Sequence, residues 1–162
     1  MTSKTNAIPD GFHAVTPYLI VKDAAGAIEF YKTAFGATEL MRMEGPGGKI
    51  VHAEIKIADS PIMLAEEPEG DTALRGKSPH SLGDSSVVIS LYVEDVDATA
   101  AKAVAAGAKL LAPVADQFYG DRSGRIEDPF GHIWIIGTHV ADMSPEEMNA
   151  GFESWMKQHE RS

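Results

Sequence analysis

The first half of the chain alternates between stretches with the apolar pattern of strands and one stretch with the pattern of a helix. Residues 13–21 are predicted to form a strand, and Pro17, which cannot donate to a ladder, suits an edge position. Asp23 follows as the N-cap of a helix whose apolar residues share one stripe and whose stop signal is Gly36. Three further strands are predicted near residues 39–43, 50–57 and 61–65.

The second half of the chain repeats this order of elements. The sequence LIVKD at residues 19–23 returns as LYVED at residues 91–95, and the Gly-Ala pair that follows the first helix returns at almost the same spacing. A strand is predicted after residue 86, and an alanine-rich helix follows it. Because a single copy leaves one face of its sheet bare, we expect two α+β repeats that depend on each other.

A tight turn at residues 128–131 joins the last two predicted strands. Pro129 fixes φ at the second position of a type I turn, and Gly131 tolerates the exit geometry. The strand before the turn ends near Glu127, and the strand after it, HIWIIG, is rich in branched and aromatic side chains. The pattern predicts a β-hairpin.

Three stretches lie outside the repeats. Residues 1–11 are expected to form a loose polar arm, and residues 67–86, rich in Gly, Pro, Ser and charge, a linker or a lid. In residues 141–162, Ser144 and Glu147 have the spacing of a capping box, which predicts the start of a helix. This helix carries an apolar stripe of Met148, Phe152, Trp155, Met156 and His159.

Composition and charge narrow the classes of partner. The chain has 162 residues, 44% of them hydrophobic, and a formal net charge of -10, so it can bury a core but suits neither nucleic acid nor an anionic membrane surface. It has no cysteine, which excludes disulfides, thiolate metal sites and a cysteine nucleophile. The N-terminus lacks the apolar stretch of a signal peptide, and no run approaches the roughly 18 apolar residues of a membrane span. We expect a cytoplasmic protein.

Several segments carry a family pattern: TPYLIVKDA followed by AIEFYKTAFGA, then HAEIKIADSPIML, LYVEDVDA, and DQFYGDRSGRIEDPFGHIWIIGTH. Together they resemble the vicinal oxygen chelate superfamily, which includes glyoxalase I, bleomycin-resistance proteins and extradiol dioxygenases, and most closely its PhnB-like branch. The resemblance covers about residues 12–140. It implies an α+β fold of tandem βαβββ modules, about 12–66 and 87–140, whose mixed sheets curl around a cavity with helices on the outer faces.

The resemblance also locates the metal positions of the superfamily. Metal-dependent members place one His, Gln or Glu ligand on each of four cavity strands, and the matching positions here are Thr16, Met63, Val88 and Ile135. None of these side chains is a normal ligand for Zn²⁺, Fe²⁺ or Ni²⁺, so we expect no metal cofactor. A relocated divalent metal stays as an alternative, because His52 and Glu54 project to one face of a strand and His132 and His139 bracket the last strand.

Candidate ligand-binding residues lie where aromatic and polar groups meet the expected cavity. The first strand of each repeat offers Tyr18 and then Ser90 with Tyr92, and the third predicted strand offers His52 and Glu54. Phe118 and Tyr119 precede Arg122, whose guanidinium can pair with a carboxylate or stack on a planar ring. No catalytic residue is assigned.

Two functions fit these residues. The preferred one is metal-independent binding of a small flat or amphipathic molecule, as the bleomycin-resistance proteins of the superfamily do. The alternative is a glyoxalase-like lyase or isomerase with a displaced metal or an acid–base pair at His52 and Glu54. The stripe of the C-terminal helix must be covered, either by its own domain or by a second chain. We expect a homodimer, because family members commonly pair.

Overall fold

The computed structural model describes residues 5–70 and 76–159, which form an α+β fold with two mixed sheets. The chain divides into two compact units, one of residues up to 85 together with 129–131, the other of residues 86–128 and 132 onwards. Each unit contains one four-stranded sheet, and each follows the order strand, helix and three strands. The predicted βαβββ repeats are therefore confirmed.

The first unit has one long helix against its sheet. Its elements are β1 (Tyr18–Val21), α1 (Ala24–Phe35), β2 (Thr38–Glu44), a 3-10 turn (Pro46–Gly48), β3 (Ile50–Ile57), β4 (Ser60–Glu66) and α2 (Pro79–Leu82). The strand order is β1-β4-β3-β2, with β1 parallel to β4 and the other neighbours antiparallel. Helix α1 packs on β3, and the buried side chains of both form the core of this unit.

The ends of α1 are those that the sequence predicts. The Asp23 side chain accepts a hydrogen bond from the Gly26 amide at 2.9 Å, and Gly36 ends the helix with φ of 67°. Strand β1, in contrast, is shorter than the predicted 13–21 and starts only at Tyr18. Pro17 has no N–H to donate, and its carbonyl accepts from the Met63 amide at 2.9 Å, so ladder pairing begins there.

The second unit repeats the arrangement. Its elements are β5 (Val88–Tyr92), α3 (Val96–Ala105), β6 (Lys109–Asp116), β7 (Asp121–Glu127), β8 (Ile133–His139) and α4 (Pro145–His159), with sheet order β5-β8-β7-β6. The predicted hairpin is the antiparallel pair of β7 and β8. Trp134 is buried, and its indole N–H donates to Asp128 at 2.9 Å, which ties β8 to the turn.

Helix α4 starts with the predicted capping box. The Ser144 amide donates to the Glu147 carboxylate at 2.8 Å, and the Glu147 amide donates to the Ser144 hydroxyl at 3.2 Å. The helix has no buried residue among those described, and its apolar stripe is partly exposed. None of the described helices is long and apolar enough to cross a membrane.

Parts of the predicted outer stretches lie outside the described residues: 1–4 of the arm, 71–75 of the linker or lid, and 160–162 at the C-terminus. Within the described part of the linker or lid, Ser78 is attached to the first unit. Ser78 caps α2 through its hydroxyl, which accepts from the Ser81 amide, and Ser78 also binds Glu67 beyond the end of β4.

Candidate functional site

A chain of three hydrogen-bonded side chains crosses one face of the first sheet. Tyr18 on β1 and Glu54 on β3 both pair with Met63 of β4, so the ladder places them in one row. The Tyr18 hydroxyl lies 2.8 Å from Nδ1 of His52, and Nε2 of His52 lies 3.3 Å from Oε1 of Glu54. The structure thus joins three of the predicted site residues into a single network.

The three groups of this network differ in exposure. His52 and Glu54 have side chains that are 23% and 22% exposed, whereas Tyr18 is 47% exposed. Partial burial raises the pKa of the Tyr18 hydroxyl above its ordinary value, so the hydroxyl keeps its proton at neutral pH. Tyr18 is therefore the member of the network that a ligand can reach most easily.

A groove of about 500 Å³ begins at Tyr18 and continues along the same sheet. Its apolar lining consists of Ile20, Ile50, Val51, Ala65 and Pro68. This size falls within the usual range for small-molecule sites, which are mostly apolar with a few polar groups. The groove and the Tyr18 network therefore form the candidate site.

Carboxylates and one lysine make up the polar part of the groove lining. Glu69 forms an ion pair with Lys49, and Glu67 is held by Ser78 and by Lys22 and Lys77. The fourth group, Glu66, accepts a long hydrogen bond of 3.4 Å from the Ile50 amide.

Glu66 differs from its two neighbours because no cation pairs with it among the residues that the structure describes. A carboxylate that lacks a paired cation beside an apolar groove favours a ligand with a positive charge. Glu66 is therefore the carboxylate of the groove without an ion pair of its own, although Glu69, which pairs with Lys49, raises the pKa of that lysine and the charge of Glu66 adds to this effect.

The second unit has its own network, centred on Asp121. The Tyr92 hydroxyl donates to Asp121 at 2.7 Å, and Nδ1 of His139 lies 2.8 Å from the other carboxylate oxygen. Nε2 of His139 lies 3.0 Å from Asp142. Asp121 is a residue that sequence reasoning missed, although its place opposite His139 in the β7–β8 ladder follows from the correct hairpin register.

The structure separates Arg122 from the two aromatic residues with which it was grouped. Its guanidinium pairs with Asp97 of α3 at 2.8 Å and with Asp116 at 3.1 Å, and these carboxylates, Asp97 foremost, raise its pKa. Phe118 packs against Tyr119 and against Phe152 of α4 instead. Arg122 is thus already neutralised by two carboxylates, and its predicted role in ligand binding has no geometric support.

Tyr18 of β1 and Tyr92 of β5 do not occupy equivalent positions in the two repeats. In the ladders, Tyr18 pairs with Met63, and Ser90 pairs with Ile135, which are the two equivalent positions of the last strands. Ser90 therefore occupies the place of Tyr18, and Tyr92 lies one pleat further along β5. Both Ser90 and Tyr92 are exposed.

The superfamily's metal positions do not fit a metal in this chain. Met63, Val88 and Ile135 lie on β4, β5 and β8 with thioether or hydrocarbon side chains, and Thr16 precedes β1. Within residues 5–70 and 76–159, no group of three or more His, Cys, Asp or Glu is arranged to hold a metal ion. His52 with Glu54 supplies only two ligands, so the described donors do not provide the three or four that Zn²⁺ usually takes.

Together the fold and the groove define an α+β protein with a ligand-sized site on a mixed sheet. The sequence profile of the Glyoxalase/Bleomycin resistance protein/Dioxygenase superfamily matches residues 11–136. The chain therefore belongs to this superfamily, as the resemblance indicates.

The chain is also similar to other proteins and to solved structures. Rv0887c, an uncharacterized protein of Mycobacterium tuberculosis, is 42% identical over 141 residues, which cover 87% of this chain and 83% of that protein. TioX from Micromonospora sp. ML1 has a TM-score of 0.62 at 25% identity and covers 79% of this chain and 99% of its own. The PhnB protein from Bacillus cereus shares the fold, with a TM-score of 0.60 at 15% identity over 78% of this chain and 99% of its own.

Proposed function

We propose that this protein binds a small amphipathic molecule without a metal, in the groove beside Tyr18. The observation that carries the proposal is the groove itself, a cavity of about 500 Å³ with an apolar lining on an open sheet face. Burying an apolar ligand there gains about 25 cal/mol for each Å² of apolar surface removed from water. The fold, the family and the groove all support this proposal.

The polar groups of the groove favour a ligand with a positive charge. Glu66 has no ion pair among the described residues. Glu69 pairs with Lys49, which is the one lysine in the described lining of the groove. The chain as a whole carries a formal charge of -10, which increases the encounter rate of cations. The proposed ligand therefore has an apolar body and a cationic head.

The test uses 4-phenylbutylamine as the probe and calorimetry as the measurement. We expect Val51→Arg to weaken its binding about ten-fold or more, because the new side chain fills the groove and repels the ammonium group. Val51 is 51% exposed, so the substitution should leave the melting temperature nearly unchanged. Val104→Arg is the matched control, since Val104 is 43% exposed on α3 and does not line the groove.

Two results would contradict the proposal. The first is that neither 4-phenylbutylamine nor other aryl-alkyl cations raise the melting temperature with concentration, as a ligand of the native state must. The second is that binding disappears when EDTA removes divalent ions, which would show that the site depends on a metal.

Acid–base catalysis is the second candidate, and the Tyr18–His52–Glu54 network favours it. In an isomerisation, the Tyr18 oxygen would take a proton from a carbon next to a carbonyl while its own proton passes to Nδ1 of His52, and Glu54 would stabilise the imidazolium. The hydroxyl proton of the resulting enediolate would move to the former carbonyl oxygen, and return of the first proton to the neighbouring carbon, with the His52 proton going back to Tyr18, completes the reaction. Burial raises the pKa of Tyr18, so its hydroxyl stays protonated, and the apolar groove beside it makes binding the preferred function.

Two measurements separate this candidate from simple binding. Deuterium incorporation from D₂O into an α-hydroxyketone, abolished by His52→Gln, would support the acid–base reaction. A stoichiometric divalent ion that survives dialysis and is lost in His52→Ala would instead support a displaced metal site. Neither result is expected of a metal-independent binding protein.

A further inference from the structure

The direction of the two hydrogen bonds around His52 is fixed by the chemistry of Glu54. An ionised carboxylate can only accept hydrogen bonds, so the contact of 3.3 Å requires a proton on Nε2 of His52. In the neutral imidazole, Nδ1 is then the acceptor. The Tyr18 hydroxyl, at 2.8 Å, must therefore donate to it.

This direction determines what Tyr18 offers to the groove. Its only proton is used by His52, and the lone pairs of Oη remain for a ligand. We infer that, while His52 is neutral, Tyr18 selects ligands whose head group donates a hydrogen bond, such as a primary ammonium, an amide N–H or a hydroxyl. The inference rests on the proposed function, and it makes Tyr18 a specificity-determining residue and His52 a positioning residue.

The preference depends on the Nδ1 acceptor of His52. Without that acceptor, the hydroxyl proton of Tyr18 is free to turn toward the ligand. The groups that face His52 are Tyr18 from β1 and Glu54 on its own strand, and the ladder places Met43 of β2 beside it. Glu54 is thus the one charged group in contact with the ring among the described residues.

The ladder also separates Tyr18 from the carboxylate of the groove. Tyr18 pairs with Met63, and Glu66 lies three residues further along β4, about 10 Å away at the usual strand rise. A head group at Tyr18 can therefore be tested for hydrogen bonding separately from attraction by Glu66. Two cations of equal charge that differ only in N–H donors make that comparison.

The experiment compares 4-phenylbutylamine with 4-phenylbutyltrimethylammonium, which has the same charge and no donor. The quantity measured is the ratio of their dissociation constants at pH 8, obtained by calorimetry. We expect Tyr18→Phe to reduce the preference for the primary amine about ten-fold, because it removes an acceptor for a charged donor. Tyr18 is 47% exposed, so the loss of its hydroxyl should not prevent folding.

His52→Gln tests the part played by His52. At pH 8 the preference for the amine should be large in the wild-type protein and small in His52→Gln. Glu66→Gln is the control for charge, since it should weaken both cations equally and leave the ratio unchanged. An undiminished preference in His52→Gln would overturn the inference.

Three other outcomes are decisive. If both cations bind with a ratio that Tyr18→Phe does not change, the proposed function stands and this inference is wrong. If neither cation binds, the proposed function fails for this class of ligand, and the inference fails with it. Nitrogen NMR of His52 in the free protein at pH 8 gives an independent check, because a proton on Nδ1 rather than Nε2 would contradict the assigned direction.

Discussion

At the scale of single residues, His139 shows how geometry fixes a charge. Its two ring nitrogens face the carboxylates of Asp121 and Asp142, at 2.8 Å and 3.0 Å. Both bonds can form only if both nitrogens carry protons, because carboxylates only accept. The hydrogen bonds, that with Asp142 foremost, raise the pKa of His139 above its ordinary value of 6.5.

The sign of the pH effect follows from this raised pKa. The contribution of His139 to stability is complete below pH 6.5 and is lost as the pH rises through the higher pKa of the folded state. We predict that the melting temperature of the wild type falls relative to that of His139→Gln between pH 6 and pH 9. His13→Gln, at an exposed position before β1, is the control and should follow the wild type. Parallel curves for wild type and His139→Gln would contradict the assignment.

The sequence predicts which site residues lie together on one strand more easily than which residues of different strands are in contact. The shared face of His52 and Glu54 follows from the alternation along a strand. The contact of Tyr18 with His52 spans 34 positions and needs the registers of β1 with β4 and of β4 with β3, which no local pattern contains. The direction of Arg122 was also beyond local reasoning: β7 begins at Asp121, so alternation turns Arg122 toward Asp97 of α3, and its ligand contact stays a prediction without geometric support.

At the scale of elements, Glu67 attaches α2 to the end of β4. Its carboxylate accepts from the amide and the hydroxyl of Ser78 at 3.0 Å and 2.6 Å, and it pairs with Lys22 and Lys77. The side chain is only 7% exposed. These hydrogen bonds, led by that of the Ser78 hydroxyl, hold the pKa of Glu67 far below its usual range.

Replacing Glu67 should therefore loosen this attachment. We predict that Glu67→Gln lowers the melting temperature at pH 7 and speeds hydrogen exchange of the Ser78 backbone amide. The uncharged glutamine side chain would lose the ion pairs with the two lysines and accept weaker hydrogen bonds from Ser78. Glu69→Gln is the matched control, since Glu69 is 86% exposed and pairs with Lys49 alone.

The pH dependence checks the same prediction. Because the pKa of Glu67 is lower in the folded protein than in the unfolded chain, where it is about 4.5, the ionised carboxylate stabilises the folded state above that pH. This contribution is lost progressively as the pH falls below about 4.5. The gap in melting temperature between wild type and Glu67→Gln should thus narrow on acidification from pH 5 to pH 3. A constant gap would show that the substitution acts through packing rather than through charge.

The sequence predicts helix ends and tight turns well, because they depend on residues close together in the chain. It predicts strand ends less well, because they depend on pairing with a distant strand. The caps of α1 and α4 and the hairpin of β7 and β8 follow from Asp, Ser, Glu, Pro and Gly at fixed offsets. The start of β1 differs from its prediction, because apolar residues before Pro17 fit a strand but have no partner strand to pair with in the ladder. Helix α2 within the predicted linker was missed, although Ser78 and Pro79 are start signals for a helix.

At the scale of the whole molecule, the apolar stripe of α4 raises the question of what covers it. Met148, Phe152, Trp155 and Met156 are 37% to 49% exposed. Phe118 covers part of the stripe, with its ring centroid 5.9 Å from that of Phe152. We propose that the remainder packs against a second copy of this chain, which would make the protein a homodimer.

The segment between β8 and α4 is positioned firmly enough to present this stripe. The amides of Val140 and Ala141 donate to the Gly120 carbonyl at 2.9 Å and 3.0 Å. Gly120 has φ of 92°, and a Cβ there would meet the Ala141 carbonyl oxygen at 2.0 Å, so only glycine allows the approach. The direction in which the chain enters α4 is therefore set by close backbone contacts.

Removal of residues 144–162 tests the proposed dimer. Burying a Phe or a Trp contributes on the order of 2 to 3 kcal/mol each. We therefore predict that the dissociation constant of the dimer is at least ten-fold higher for the truncated protein than for the full chain. Sedimentation equilibrium measures both constants. Trp155→Glu should weaken the dimer in the same direction, whereas Lys157→Glu, on the polar side of α4, should have little effect. A truncated protein with the same mass at low concentration and unchanged melting would show that α4 is dispensable for assembly, and the stripe would then be part of the fold of a single chain.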